Sequence, residues 1–529
     1  MGFYVSPGVY ARERDISNLI PNLATTTAAV VGYARKGSTT DIQLITSGQQ
    51  FVQEYGEPNP VDGYFHYTAL AFLEKGNKLF ALRVVNGALF GGENIRKSGT
   101  GANNAFTAGV STPVFNEPIA QTLVFQVFGR DPGVWNNEIG IRITNLDAVE
   151  FEFDIDVYAK DEDGNPFQVE TWRVSRKHKV DGFGRQMYLE DRINGFSRYI
   201  VVKDDVAEAD TSMPEPQATT LFMDFGSDGS AITDANLITA WGSFSNPDDI
   251  DIRILMNAGY TSVSVQQKIK EICESRRDCF GILDTPFSEL TNVTSMVDWR
   301  KNTQNFNSSY IALYTAWVKI YDAFNDKIIE IPPSGYVGAQ FAFNDFVGEP
   351  WLAPAGFNRG VVNVIGVTNV FSQGERDILY IDQLNPIQMF RGEGIVIWGQ
   401  KTEQRKASAL DRVNVRRLLI VLEKAIATQL KFFVFEPNNQ ITRFRITSLI
   451  EEFLTLLSAR NAFQTELGDQ GFRVLCDETN NTPAIIDLNE LHVDVFIKPS
   501  RAAEFIQLQL IVTSTGASFD ELIARGVFF

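Results

Sequence analysis

The chain has 529 residues and a formal net charge of −18. That length suits about two to four domains, and a hydrophobic content of 44% is enough to fill their cores. Such acidity argues against a protein whose main work is gripping a phosphate backbone, so no direct nucleic-acid binding is expected, and it keeps single subunits apart in solution. The three cysteines, Cys273, Cys279 and Cys476, form no CxxC pair. They argue against a zinc ribbon or a disulfide framework and predict free thiols made in a reducing cytoplasm. The opening MGFYVSPGVYARERD lacks the basic start and apolar run of a signal peptide. No stretch of about 18 apolar residues is present, so no membrane insertion is expected.

Residues 1–20 carry Pro7, Gly8 and a charged run at Arg12–Asp15. They are expected to form an extended arm or a frayed terminus. From Thr25 the small, β-branched TTTAAVVGYA predicts a buried strand. Ser47 is then a candidate N-cap for a short helix ending before Gly56. A helix over Phe65–Lys75 leads to a strand over Leu79–Val85. Residues 86–120, rich in Gly, Asn, Ser and Thr, predict a linker or loop.

Phe151, Phe153, Ile155 and Val157 alternate with Glu150, Glu152, Asp154 and Asp156, which predicts a half-exposed strand. DEDGNP, Asp161 to Pro166, is a turn before the returning FQVETWRV. A β-rich insertion is therefore expected over 96–205. A strand–helix–strand unit follows at Ile250–Met256, Ser262–Ser275 and Cys279–Leu283. Its partners are expected to be Thr25–Val31 and Leu79–Val85, giving one α/β domain made of 21–95 plus 206–359. The last domain, 360–529, is expected to hold two amphipathic helices, 403–431 and 446–460, and two alternating strands. Val493, Val495 and Ile497 share a face of the first strand; Ile506, Leu508, Leu510 and Val512 share a face of the second. The fold class is thus a mixed α+β and α/β multidomain chain.

Few signs of chemistry emerge. GYARKGS, Gly32 to Ser38, has the glycine spacing of a phosphate loop but lacks the lysine after the second glycine, so a strand end and turn is the expected structure. DEDGN lacks the later acidic ligand of a calcium loop and predicts a hairpin turn. The three histidines, His66, His178 and His492, fall in different regions without metal-ligand spacing, and no GxSxG elbow accompanies them. Asp284 follows a strand where α/β enzymes often place a catalytic group, but no second group is positioned with it. It is expected to cap the turn of DTP. Cys279 should be buried and inert. No catalytic, cofactor-binding or metal residues are assigned, and an assembly subunit rather than an enzyme is expected.

Ordered segments then carry a resemblance. They are SPGVY at Ser6–Tyr10, VVGYARKG with LITSGQQFVQEYGEP, PGVWNNEIGIRI at Pro132–Ile143, FGSDGS at Phe225–Ser230, and RRDCFGILDTP. WLAPAGFNRG at Trp351–Gly360, ALDRVNVRRLL at Ala409–Leu419, FRVLCDETNNTPAIID at Phe472–Asp487 and STGASFDELI complete the series. Together they resemble the contractile tail sheath proteins of myoviruses, particularly the T-even-like bacteriophages. The region 96–205 matches least and is shorter than in the largest members, so a second inserted outer domain is expected to be absent.

The resemblance implies a sheath subunit of the virion, assembled in the host cytoplasm, that polymerises as a helical stack of rings around the tail tube. It implies contraction that drives the tube through the host envelope. Baseplate and tail terminator proteins are the further implied partners. The N-terminal arm and an inner C-terminal α/β domain would exchange terminal strands between copies, with a middle α/β domain and the inserted β-rich domain outside them.

Strand exchange is expected at Val5, Val9 and Tyr10 and at Phe505, Ile506, Leu508, Leu510 and Val512. Along helix 403–431, Val415, Leu419, Leu422 and Ile426 share one face, and Arg417, Lys424 and Lys431 lie opposite in heptad steps. That basic stripe is either a tube contact or an ordinary solvated face. Gly91, Gly92 and Gly356 are candidate hinge points or static turns. Alternatives to the phage sheath are a sheath of a non-phage contractile injection system and a capsid or other shell protein.

Overall fold

A computed structural model describes residues 26–115, 119–120, 122–161, 163–204, 212–466 and 469–507. The described residues begin with strand β1 (Ala28–Gly32), β2 (Gln43–Ile45), helix α1 (Gly48–Tyr55), α2 (Phe65–Leu73) and β3 (Leu79–Arg83). Ser47 caps α1 as expected, its hydroxyl accepting from the Gln50 amide at 3.2 Å. All five residues of β1 are buried. A strand this apolar needs cover on both faces, as the inner strands of parallel sheets have.

The chain then leaves for an inserted β unit. Its strands are β4 (Gly92–Arg96), β5 (Asn104–Ala105), β6 (Leu123–Gly129), β7 (Ile139–Asp147), β8 (Glu152–Lys160) and β9 (Pro166–Ser175). After α3 (Leu189–Ile193) come β10 (Ile200–Asp204) and β11 (Leu221–Phe222). They form two four-stranded sheets, β10-β6-β4-β5 and β11-β7-β8-β9, around a shared core. The period-two pattern holds in β8: Phe153, Ile155 and Val157 are buried, and Glu152 and Asp154 pair with Arg173 on the other face at 3.0 and 3.1 Å. Phe151 departs from it, sitting at φ 57° before the strand begins.

The insertion is longer than the expected 96–205. Isolated bridges join Asn86 to Gly229 and Leu89 to Ser227, so the unit opens near 86 and closes near 230. Residues 86–120 are accordingly not a free linker, because β4 and β5 are paired strands. Gly87, Gly99 and Gly101 there take positive φ outside the strands, while Gly92, Asn94 and Asn104 sit in the paired strands, and composition alone does not separate these roles from a linker.

The chain returns through α4 (Asp234–Gly242), β12 (Ile254–Met256), α5 (Val263–Arg276) and β13 (Phe280–Asp284). Then follow α6 (Val293–Asp298), β14 (Ile311–Thr315), β15 (Val318–Asp322), β16 (Lys327–Ile331) and α7 (Ser334–Val347). β17 (Val361–Val362), β18 (Gly366–Val367), α8 (Gln373–Ile381), β19 (Leu384–Phe390) and β20 (Gly394–Ile397) complete this part. A nine-stranded sheet runs β17-β20-β19-β14-β13-β12-β1-β3-β2. The expected partnership holds, with β1 between β12 and β3 in parallel register.

A boundary at 360 does not hold, since β17, β19 and β20 belong to this central sheet. Pro386 inside β19 disguises the strand, because proline cannot donate to a ladder. The last unit contains α9 (Val413–Leu430), α10 (Gln440–Ala459), β21 (Phe472–Leu475) and β22 (Asp494–Ile497). Its core gathers Leu418, Leu422, Ile446, Ile450, Leu454 and Val474.

Candidate functional site

The three suspect chemical motifs resolve into structural roles. The loop after β1 turns its carbonyls, not its amides, to a buried cation. Arg83 donates to the carbonyls of Ala34 at 2.6 Å, Arg35 at 2.9 Å and Gly37 at 2.8 Å. A phosphate needs converging N–H groups, so this loop has the wrong polarity. Asp161 accepts from the Asp163 and Asn165 amides at 3.1 and 2.7 Å, closing the β8–β9 turn. Among the described residues no cluster of three or more His, Cys, Asp or Glu could hold a metal ion.

Asp284 is fully buried and ties three elements together. It accepts from the Gly259 amide at 3.0 Å and from the Ser334 amide and hydroxyl, both at 2.8 Å. Burial pushes its pKa up to about 7, against the pull of those donors. The unfolded carboxyl titrates near ~4, so between about pH 4 and 7 the folded state holds the extra proton. Its stabilisation is fully present at the acid end and is lost as pH rises through 7. Asp284→Asn is expected to flatten a pH slope of order 1 kcal/mol per unit across that window. Urea melts at pH 5 and 7.5 check this; an unchanged slope refutes it.

The first structural joint lies where the insertion leaves the sheet. Arg83 also donates to the Pro132 carbonyl at 2.7 Å, spanning β3 and the β6–β7 connection. Asp228 accepts from the Val134 amide at 2.9 Å, and Asn136 accepts from the Gly91 amide at 2.9 Å. Arg130 pairs with Glu54 of α1. The segments PGVW and FGSDGS therefore meet here. Gly91 and Gly92, the candidate hinge points, sit where a side chain has no room: a Cβ on Gly91 would lie 2.8 Å from the Asp224 carbonyl, and one on Gly92 would strike the Val127 carbonyl and the Phe106 ring. They are glycines because backbones pass at close range.

The second joint is α9, whose two faces pack on different units. Leu418 and Leu422 join the α10 core, while Val413 and Ile420 join the core of the central sheet. The basic stripe is largely consumed inside the chain. Arg417 is 5% exposed, lies 4.6 Å over the Phe341 ring and pairs with Asp345 of α7 at 2.6 Å. Lys424 donates to Asp278 at 2.9 Å and lies 3.7 Å from Asp251. Only Lys431 of the three stays open, with its side chain 74% exposed and 3.9 Å from Asp248. Heptad spacing selects a helix face; it does not say which surface covers that face.

Gly356 has φ 80° with open space at its Cβ position. Its amide donates to the Ile397 carbonyl at 3.0 Å and its carbonyl accepts from the Gly360 amide at 2.7 Å, so it forms a hydrogen-bonded turn. Nearby, Trp351 is buried in the α10 core, and its carbonyl accepts from Asn414 of α9 at 3.2 Å.

Of the strand-exchange candidates, Phe505 and Ile506 are exposed at 81% and 86%. Val5, Val9, Tyr10, Leu508, Leu510 and Val512 lie outside the described residues. The pair β21–β22 has one ladder only, so each strand offers an open edge among the described residues. Sequence reasoning missed Arg83 and the Arg412–Glu504 pair. The only local signal was a charged residue ending an apolar strand in LFALR.

This arrangement, a mixed, mainly parallel α/β layer with a β insertion and a helical end unit, is the fold of contractile sheath subunits. It is shared with the sheath of an extracellular contractile injection system, PVC, in its contracted state (TM-score 0.56, 17% identity, 97% of this chain and 98% of that one). The sheath tail protein of Listeria innocua shares it too (TM-score 0.57, 12% identity, 86% of this chain and 89% of that one).

Sequence relationship is narrower and more specific. Residues 231–403 match the phage tail sheath protein central domain, which begins where the insertion closes. The tail sheath protein of Enterobacteria phage T4 is 31% identical over 370 residues, covering 66% of this chain and 54% of that protein. The tail sheath protein of Vibrio phage KVP40 is 32% identical over 323 residues, covering 56% and 47%. The chain spans about half the length of the curated relatives it matches. Residues 231–403 thus match the phage tail sheath central domain, and the chain is similar in sequence to tail sheath proteins of myoviruses.

Proposed function

We propose that this chain is the structural subunit of a contractile bacteriophage tail sheath, not an enzyme. It polymerises helically around a tail tube and contracts to drive the tube through the host envelope. The observation that carries this is the tail sheath central domain at 231–403, set in a chain 31% identical to a phage tail sheath protein. The injection-device sheaths share the fold at lower identity, so the phage reading is preferred over the non-phage one. The partners are further copies of the chain, the tube protein, the baseplate and the terminator, and the product is part of the virion, assembled in the host cytoplasm.

On this reading the open edges of β21 and β22 receive strands from neighbouring copies, and the exposed Phe505 and Ile506 begin one such strand. Main-chain pairing of that kind, repeated head to tail, gives an open filament rather than a closed shell. The bonds across both joints favour contraction by movement between subunits, with each subunit moving as one body. Negative-stain images of the purified protein test the reading. Hollow tubes are expected; closed shells, or monomers under every condition, would overturn it.

A further inference from the structure

Six strands of the central sheet run parallel in the order β3-β1-β12-β13-β14-β19. The chain makes β1 first, sets β3 on one side of it, and later builds β12 and the strands after it on the other. The direction of winding therefore reverses between β1 and β12. Helices pack on the sheet as two separate pairs, α2 with α7 and α4 with α5. Doubly wound sheets of this order take ligands in the crevice outside the carboxyl ends of the strands, at such a reversal.

In this chain that crevice is filled from within. Beyond β12, residues Asn257 to Tyr260 form a tight turn. The Tyr260 amide donates to the Asn257 carbonyl at 3.0 Å, and Ala258 and Gly259 take φ 51° and 77°. Two successive left-handed residues reverse the chain sharply, and Tyr260 comes back over the strand ends. Its hydroxyl accepts from the amide of Tyr33, the first residue after β1, at 3.0 Å. Its ring packs on the core of the sheet, and burial pushes its pKa up to about 12, so it is a neutral phenol. Tyr64 and Pro332 close over the turn: a Cβ on Gly259 would lie 2.9 Å from the Tyr64 ring and 3.1 Å from Pro332.

The adjoining helix end is also taken. Helix α5 starts at Val263, and its Ser264 hydroxyl donates to Asp234 of α4 at 2.6 Å. That carboxylate stands at a helix N-terminus, the kind of place that holds an anionic ligand. A ligand that replaces the Tyr260 ring must therefore be neutral, flat and able to accept one hydrogen bond.

We propose that the crevice between β1 and β12 is a ligand site whose resident occupant is the chain's own Tyr260 ring, and that without this ring it takes a free neutral phenol. The Tyr33 amide supplies the polar recognition, and the walls supply the shape. An apolar cavity left by a deleted side chain binds a ring of matching size in the same way. The proposal is independent of the sheath reading.

Melting of the full chain tests it. Tyr260→Ala removes the atoms of one phenol and is expected to lower the melting temperature. Phenol at ten times its Kd for the variant should favour the folded form about tenfold and raise that temperature, with no such rise for the wild type. Benzene should bind about fivefold more weakly, since it leaves the Tyr33 amide without an acceptor. Tyr260→Phe keeps the ring and serves where the alanine variant fails to fold. In it, hydrogen exchange at Tyr33 is expected to quicken about fivefold, with 28–31 unchanged. Phenol that stabilises Tyr260→Ala no more than the wild type, benzene that binds as tightly as phenol, or unchanged exchange at Tyr33 in Tyr260→Phe would overturn the closed site.

Discussion

Arg417→Glu is expected to destabilise the isolated chain by about 3–5 kcal/mol, the range for breaking a buried ion pair. The substitution removes the cation from a site where the Asp345 side chain is 1% exposed and sets a second carboxylate against it. It also removes the cation from the face of Phe341. Lys431→Glu, on the same stripe but open to solvent, should change stability by no more than about 0.5 kcal/mol. Urea titration of both variants, with no tube present, makes the comparison. Equal effects would mean that Arg417 is not buried as described. The contrast also bears on the tube. A failure of Arg417→Glu to assemble would report a damaged subunit, whereas Lys431→Glu tests contact with a partner cleanly.

The second large effect is expected at Arg83. Its guanidinium satisfies four carbonyls, those of Ala34, Arg35, Gly37 and Pro132, at a site 1% exposed. Burial brings its pKa down to about 10, so it remains a cation at neutral pH. Arg83→Met keeps the stem and strands the acceptors, and should cost about 3–5 kcal/mol. Arg83→Lys should recover less than half of that loss, because a point ammonium cannot span the planar fork. Denaturant melts give the totals. Hydrogen exchange should rise together at 32–38 and 129–134, on both sides of the joint. A rise confined to 32–38 would show that Arg83 serves its own loop and does not fasten the insertion.

The sequence by itself determined the local elements and much of the sheet. Small β-branched runs such as Ala28–Gly32 are buried strands because nothing else accommodates them, and Ser47 starts its helix through a bond three residues away. The alternation in β8 set both its faces. The expected pairing of β1 with β12 and β3 followed from uniformly apolar strands separated by helices. These are short-range patterns with a fixed period, so they are legible in one dimension.

Only the tertiary structure decided where the units begin and what covers each charged face. The insertion closes at Gly229 because its return strand bridges to Asn86, a partner 143 residues back. Arg417 and Lys424 look like a solvated or partner-facing stripe, yet Asp345, Asp278 and Asp251 come from distant segments to meet them. Gly91 and Gly92 look flexible but are small because another backbone passes beside them. In each case the deciding contact lies far away along the chain, and no local period encodes a residue's partner across such a distance.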